Sequence, residues 1–226
     1  VELLKKRQTF TPQLDALYAS DQLLDAFDVD HIGTEAILWQ TGYLTITGVE
    51  LLGVLMHYRL GYPNLEVASA FNEALLGAWL PSAAVPAQMR VSLYHSVHAL
   101  DWAALRTHFE SLYASIPTDW YRANPIAQYE GYWASLFYSH LASLGIDLTP
   151  EDVINQGRID LTLKLPQAIV IIEFKRIDGT SATGEALAQL RAKGYAEKYR
   201  ADHRPVWLLG VEFSSRMRNI VGWEAV

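Results

Sequence analysis

Residues 157–175 read GRIDLTLKLPQAIVIIEFK and contain two β-rich runs, one on each side of residues 166–167. Such runs around a proline-containing turn favour a β-hairpin. A turn centred there places Asp160 directly opposite Glu173. Lys175 lies on the same face as Glu173, because side chains alternate between the two faces of a strand. Two carboxylates and one ammonium group are therefore predicted to meet at the open end of the hairpin.

The opposite face of the same hairpin is apolar along its whole length. It carries Ile159, Leu161, Leu163, Leu165, Val170, Ile172 and Phe174. A continuous apolar face of this kind is stable only when other parts of the protein bury it. The hairpin is thus predicted to have a buried back and a charged front.

The charged front suits one kind of chemistry. Opposed carboxylates repel each other at neutral pH unless a positive charge lies between them, and either Lys175 or a divalent cation could supply it. Oxygen ligands in a chain without cysteine favour Mg²⁺ or Mn²⁺ over zinc. Such an ion polarises a phosphoryl oxygen and lowers the pKa of a bound water, which a lysine can orient. The pattern predicts metal-dependent phosphodiester hydrolysis; the plainer interpretation is a solvated ion pair on an exposed strand.

Secondary-structure patterns divide the chain into two regions. The C-terminal region alternates strands with helices, and its predicted elements are a helix at 126–144, strands at 158–165 and 168–175, a helix at 185–199 and a strand at 206–213. That order is typical of an α/β fold. The N-terminal region has two short helices within 21–39, strands at 42–47 and 56–60, and helices at 66–80, 89–98 and 101–115. Two helices followed by a hairpin predict a winged-helix-like module.

The composition is that of an ordinary globular protein, with 226 residues, 50% hydrophobic and 19% charged. No apolar run is long enough to cross a bilayer, and no basic-then-apolar leader opens the chain, so we expect no membrane contact and a cytoplasmic location. The net charge of −7 argues against broad binding of nucleic acids. Residues 158–200 nevertheless carry more basic than acidic side chains, as a local phosphate-binding surface requires. The chain opens on Val1, which predicts a piece of a longer protein.

At the hairpin the sequence resembles the PD-(D/E)XK nuclease superfamily. The signature of that superfamily is an acidic residue at the start of one strand and (Asp/Glu)-X-Lys on the next. Asp160 and the run Glu173-Phe174-Lys175 match it. The resemblance implies that Asp160, Glu173 and the backbone carbonyl of Phe174 hold a Mg²⁺ ion and that Lys175 positions or activates the attacking water.

The resemblance extends to the flanking helices. Glu130 matches a glutamate that family members often carry before the hairpin, and it would complete the acidic shell around the metal. Gln189 and Tyr195 match a glutamine and a tyrosine that often follow the hairpin, where the glutamine would orient the substrate or Lys175. The candidates for substrate contacts are Arg158, Arg176, Arg191 and Tyr195. Arg158 could equally do no more than flank its strand.

Two further stretches, 38–46 and 60–67, look like the middle region of bacterial AAA-ATPase-like proteins. In that family a P-loop ATPase domain precedes a C-terminal nuclease-like domain. The resemblance implies a helical, winged-helix-like region at 1–118, with 1–20 as the tail of the ATPase domain. Residues 119–226 would then form a restriction-endonuclease-like α/β domain, with a mixed sheet flanked by helices. No Walker A sequence occurs in the chain, so these residues are not expected to hydrolyse ATP.

The sequence therefore predicts a Mg²⁺-dependent nuclease, with Mn²⁺ as a substitute, that cleaves DNA in concert with an ATPase domain. RNA as the substrate and an oligomeric state stay open. The rival hypothesis is a non-catalytic nucleic-acid-binding or partner-docking module of an AAA-ATPase-like protein. Opposed carboxylates count against the rival, because a scaffold has no physical need for their mutual repulsion.

Overall fold

A computed structural model gives the fold, and it describes residues 14, 17–20, 32–79, 87–116, 130–154 and 157–226. Its helices and strands follow one another in this order: β1 (Leu17–Ser20), α1 (Thr34–Gln40), β2 (Thr45–Leu52), β3 (Leu55–Gly61), α2 (Leu65–Trp79), α3 (Ala87–Ala99), α4 (Trp102–Ala114), α5 (Glu130–Ala142), β4 (Leu148–Ile154), β5 (Gly157–Lys164), β6 (Ile169–Ile177), α6 (Glu185–Lys193), a 3₁₀-helix (Tyr195–Tyr199), β7 (Val206–Ser214) and β8 (Asn219–Ala225).

The C-terminal strands form one five-stranded mixed sheet in the order β4-β5-β6-β7-β8. β6 and β7 run parallel, and the other neighbours run antiparallel. A parallel pair needs a crossover connection, which α6 and the 3₁₀-helix supply. This architecture confirms the predicted mixed α/β class and is consistent with a restriction-endonuclease-like core.

The hairpin of β5 and β6 has the predicted register. Leu161 pairs with Ile172, and the ladder continues to Lys164 opposite Ile169. The same register extended toward the open end brings Asp160 level with Glu173. The turn between the strands is closed by Leu165 and Ala168, whose backbones exchange hydrogen bonds of 2.9 and 3.3 Å.

Alternation along the strands gives the sheet two chemically different sides. The aromatic face is the side that packs against α4 and α5, and it presents Phe174 and Phe213. The charged face is the side beneath α6, and it presents Glu173, Lys175 and Glu212. The predicted separation of a buried back from a charged front is thereby confirmed for most of the hairpin.

Ile159 departs from that prediction. It is fully buried, but it packs beneath α6 with Ile169, Ile171 and Leu187 rather than with the aromatic face. The paired part of β5 and β6 ends at Leu161, so the two strands separate before residue 159 is reached. The face predicted from the β5–β6 pairing applies only while those two strands remain paired, and β5 at Ile159 is paired with β4 alone, so the sequence pattern misplaced this side chain.

The N-terminal region contains a second, three-stranded sheet in the order β1-β3-β2. α1 lies between β1 and β2 in the chain, and the β2–β3 hairpin follows it. Residues 21–31, where the first of the two predicted helices would lie, fall outside the described residues, so the winged-helix-like module stays a prediction. The hairpin is longer than the sequence indicated, and Gly53 at its tip has a φ of 67°, a conformation that glycine adopts without strain. β1 lies within residues 1–20, which the resemblance assigns to the tail of an ATPase domain, and its pairing with β3 is what makes it a strand.

The two regions share one hydrophobic core. A single cluster of buried side chains contains Leu60 and Phe71 from the N-terminal region and Phe137 and Phe213 from the C-terminal region. α2 packs against α5, and Ser69 on α2 donates a hydrogen bond of 2.7 Å to the carbonyl of Ser143. The predicted boundary at 118–119 falls outside the described residues and stays a prediction.

β4 is an element that the sequence pattern did not indicate. It contains Pro150, and Glu151 has a φ of 47°. Both features oppose a regular interior strand, but an edge strand tolerates them because only one of its sides is paired. Within the described ranges, no helix combines the length and the apolarity needed to cross a bilayer.

Candidate active site

The candidate site lies where β5 and β6 separate. Hydrogen-bonded pairs recur at every second residue of an antiparallel ladder, so the N–H of Phe174 would next donate to the carbonyl of Ile159. It donates instead to Oδ2 of Asp160, at 2.8 Å. The Asp160 carboxylate thus takes the place of a backbone acceptor, and the strands part at the point where an acidic side chain enters between them.

Glu173 is the buried acid of the site, with a side chain only 1% exposed. Its Oε1 accepts a hydrogen bond from Nζ of Lys175 at 3.1 Å, and the same oxygen accepts a hydrogen bond from Nε2 of Gln189. A buried carboxylate is costly unless a counter-charge and hydrogen bonds compensate it, and these two partners provide both. The Lys175 side chain is 25% exposed, so its ammonium group connects the buried carboxylate with solvent.

α6 brings Gln189 to this carboxylate by crossing very close to the sheet. A Cβ atom on Gly210 would lie 2.6 Å from the backbone nitrogen of Leu187, so only glycine allows the approach. Gly210 is the direct neighbour of Glu173 across the parallel β6–β7 pair. The lack of a side chain at Gly210 therefore lets α6 lie close enough to the sheet for Gln189 to reach Glu173.

Glu212 anchors the start of the same helix. Its carboxylate accepts hydrogen bonds from the backbone N–H of Thr183 at 2.6 Å, the Thr183 hydroxyl at 2.8 Å and the N–H of Ala186 at 3.4 Å. Burial alone would raise the pKa of Glu212, but these hydrogen bonds outweigh it and leave the pKa below its usual value. Glu212 is the strand neighbour of Lys175.

Tyr195 closes the site on the side of the 3₁₀-helix. Its hydroxyl donates a hydrogen bond of 3.0 Å to the backbone carbonyl of Arg158, and its side chain is buried. Burial raises the pKa of Tyr195, and the negative charges of Glu173 and Asp160 raise it further, so the hydroxyl stays neutral. The Tyr195 hydroxyl therefore lies close enough to Glu173 and Asp160 for their charges to raise its pKa.

A second buried acid, Asp152, holds the 3₁₀-helix against the sheet. It accepts hydrogen bonds from Thr162 at 3.1 Å and from Lys198 and Tyr199. Burial opposes its ionisation, but the hydrogen bonds from Lys198 and Tyr199 hold the pKa of Asp152 below its usual value. This network fastens the segment that carries Tyr195.

The arginines proposed for substrate contacts occupy separate positions. Arg158 is largely exposed and forms an ion pair of 2.8 Å with Glu151 on β4. Arg176 follows Lys175 on β6 and donates to Asp178. Arg191 is exposed on α6, two residues beyond Gln189. The side chain of Glu130, at the first position of α5, lies outside the part of the structure that is described.

The donor set fits a hydrated hard cation. Asp160 and Glu173 offer carboxylate oxygens from two adjacent strands, and the carbonyl of Phe174 directly follows Glu173 in the chain. In the described residues no group of three or more His, Cys, Asp or Glu side chains is placed to hold a metal. Mg²⁺ commonly binds through one or two carboxylates and keeps several waters, which suits this arrangement better than an all-protein cage.

A comparison with family models adds an independent observation. Residues 128–223 match the PD-(D/E)XK nuclease superfamily. The matched segment contains β4 to β7 and most of β8, together with the three site residues of the hairpin and α6. The resemblance seen in the short motifs thus extends over the C-terminal region, whereas the AAA-ATPase-like context stays a prediction.

One curated protein is similar over nearly the whole chain. It comes from Azotobacter chroococcum mcd 1, bears the name "Uncharacterized protein in vnfD 5'region", and is 51% identical over 223 residues. The alignment covers 99% of this chain and 43% of that protein, so the chain spans less than half of the relative's length. No solved structure matches the chain.

Sequence reasoning missed Gly210, Glu212 and Asp152. Gly210 and Glu212 lie in the run Leu-Gly-Val-Glu-Phe of β7, where a glycine and an acid interrupt an apolar strand at alternate positions. That spacing puts both on the face beneath α6, and it was the available signal. Asp152 gave no comparable signal, because its strand could not be identified from the sequence.

Proposed function

We propose that this chain hydrolyses phosphodiester bonds of DNA in a reaction that depends on Mg²⁺, with Mn²⁺ as a substitute. The observation that carries the proposal is the meeting of Asp160 with Glu173 and Lys175 where β5 and β6 separate. The match of residues 128–223 to a nuclease superfamily supports the same reaction class.

Each residue of the candidate site has a defined role in this proposal. Asp160, Glu173 and the Phe174 carbonyl would hold the cation, and Glu130 would complete the shell. When bound, the cation would polarise a phosphoryl oxygen and make a water more acidic. Lys175 lies at the solvent boundary, where its ammonium group can orient a water and offset negative charge that develops on the phosphate.

Gln189 and Glu173 keep Lys175 in place. A lysine side chain has many rotamers, and its ion pair with a buried, immobile carboxylate restricts them. Gln189 donates to the same Oε1 and so fixes the carboxylate that Lys175 contacts. This pre-organisation is what an electrostatic catalyst requires, because no reorganisation then accompanies the reaction.

The ATPase coupling that the sequence resemblance implies belongs to this proposal as well. The curated relative is more than twice as long as the segment it shares with this chain, which leaves room for a further domain. We infer that a P-loop ATPase domain in the full-length protein delivers DNA to the site. Cleavage by the full-length protein should then be faster with ATP than without it.

The decisive experiment compares cleavage of plasmid and single-stranded DNA by wild type and Lys175→Ala, with about 5–10 mM Mg²⁺ or Mn²⁺. We expect metal-dependent cleavage that falls about 1,000-fold in the variant. Lys193→Ala is the matched control, because Lys193 is an exposed lysine at the far end of α6. Equal cleavage by wild type and Lys175→Ala would refute the proposed role of the site.

A second candidate function is a non-catalytic docking module, and the β2–β3 hairpin favours it. Apolar side chains at its tip are exposed, among them Leu51 at 67% and Val54 at 93%. Metal affinity separates the two candidates. A nuclease site should bind Mn²⁺ and lose it in Asp160→Ala, whereas a docking module should be indifferent to both the metal and the substitution.

A further inference from the structure

The turn between β7 and β8 lies at the same end of the sheet as the candidate site. Ser214 is the strand neighbour of Ile177, two residues beyond Lys175, and the N–H of Ser215 donates to the carbonyl of Ile177 at 3.0 Å. Two residues of a strand span about 7 Å, so the turn begins within a few nucleotides' reach of Lys175.

This turn is rigid. The N–H of Met217 donates to the Ser214 hydroxyl at 3.0 Å, and the N–H of Arg218 donates to the Ser214 carbonyl at 2.8 Å. The hydroxyl of Ser215 donates to Asp178 at 2.8 Å, which ties the turn to the segment that follows β6. Arg218 has a φ of 55°, and a non-glycine residue keeps this costly conformation only where its surroundings enforce it.

The hydrogen-bonded turn carries two arginine residues at the protein surface. Arg216 and Arg218 are both exposed, and Met217 between them is 57% exposed. Among the described residues, Arg216 enters no ion pair with a carboxylate. Guanidinium groups bind phosphate oxygens in a planar, bidentate geometry, and less entropy is lost when a rigid backbone displays them.

We propose that Arg216 and Arg218 form a phosphate-binding turn that holds the DNA backbone a few nucleotides from the site of cleavage. The inference rests on the proposed function, because the phosphate that the turn would bind belongs to the DNA substrate of that function. It places substrate affinity in β7–β8 and the reacting groups in β5–β6. The overall net charge of −7 then does not oppose binding, since the contact is local.

The test measures the affinity of the 226-residue chain for a fluorescent 20-base-pair DNA duplex in EDTA, as a function of salt between about 50 and 200 mM. Arg216→Gln and Arg218→Gln should each reduce the slope of log K against log salt by about 0.9 and weaken binding on the order of eightfold at 0.1 M salt. Arg216→Lys and Arg218→Lys should retain the slope, because they keep the charge.

Two controls isolate the charge of the turn. Met217→Ala alters the same turn without changing its charge and should leave the slope unchanged. Arg200→Gln removes an exposed cation before β7, at the opposite end of that strand, and should also have no effect. Circular dichroism of every variant confirms that the fold is retained.

The outcomes separate this inference from the proposed function. Unchanged slopes in both arginine variants overturn the phosphate-binding turn, and so does a wild-type chain that fails to bind the duplex in low salt. If those slopes are unchanged but the wild-type chain cleaves DNA with Mg²⁺, the phosphate-binding turn is refuted and the proposed function is retained. Arginine-dependent binding without any cleavage would support the turn and refute the nuclease.

Discussion

The charged and aromatic faces of the five-stranded sheet come from the same strands and have opposite chemistry. On β6, Glu173 faces α6, whereas the next residue, Phe174, packs against Phe137 with ring centroids 5.1 Å apart. The aromatic face is stabilised by packing that has no directional requirement beyond shape. The charged face consists of buried groups that are stable only when each hydrogen bond is in place. The aromatic face therefore stabilises the fold, and the charged face positions the residues of the candidate site.

The largest effect should come from the aromatic face. Phe137 stacks on Phe109 with ring centroids 3.9 Å apart and is 1% exposed. Phe137→Ala should lower the free energy of unfolding by about 3–5 kcal/mol, measured in urea. Phe137→Leu fills most of the space and should cost much less. Under conditions where Phe137→Ala is still folded, its metal-dependent cleavage should be near that of wild type. If cleavage falls by more than the fraction of folded protein, the two faces are not independent.

A pH-dependent loss of stability should also arise away from the charged face. His140 is buried on α5, with its Nε2 2.8 Å from that of His108 on α4. Burial, followed by the charges of His108 and Arg90, lowers the pKa of His140 to about 3. The His140 imidazole thus stays neutral in the folded protein at pH values where the unfolded chain, with a pKa near 6.5, binds a proton.

The sign of this effect follows from the lowered pKa. Above pH 6.5 both states are neutral and His140 has no effect, while between pH 6.5 and 3 stability falls as pH falls. Between pH 7 and pH 5 the free energy of unfolding should drop by about 2 kcal/mol on account of His140. His140→Gln should reduce this dependence in urea titrations, and an unchanged pH dependence would contradict the buried neutral state.

Glu212 and Glu173 lie on the same charged face but should respond differently to substitution by glutamine. The Glu212 carboxylate is held by backbone and hydroxyl donors, so Glu212→Gln leaves donors unsatisfied and should cost about 1–2 kcal/mol of stability. Glu173→Gln should abolish metal-dependent cleavage instead. Isothermal titration with Mn²⁺ distinguishes them, because the affinity should survive in the folded Glu212 variant and disappear in the Glu173 variant.

The smallest effect is expected at Gln189. It donates a hydrogen bond to Glu173, so Gln189→Ala should slow cleavage by about tenfold and leave metal binding largely intact. Gly210→Ala would displace α6 and should produce a similar defect through the same contact. In a Gln189→Ala background the second substitution should add little, and additive defects would show that Gly210 acts by another route.

Local sequence signals were enough to predict the β5–β6 hairpin, its register and the common location of Asp160, Glu173 and Lys175. Period-two alternation and a proline turn are local signals, and they fix which side chains share a face once the strands pair. The match of 128–223 to a nuclease superfamily agrees with the reaction class that these residues predict.

The contacts that hold those residues in place depend on packing between distant segments. Ile159 left the aromatic face because the strands separate at Asp160, and no local signal marks where a ladder ends. β4 became a strand through pairing at the sheet edge despite Pro150. Gly210 and Glu212 acquired their roles because a crossover helix lies on β7, a contact between segments about 25 residues apart. Long-range packing of this kind cannot be obtained from periodicity, since it depends on which elements meet rather than on the pattern of either one.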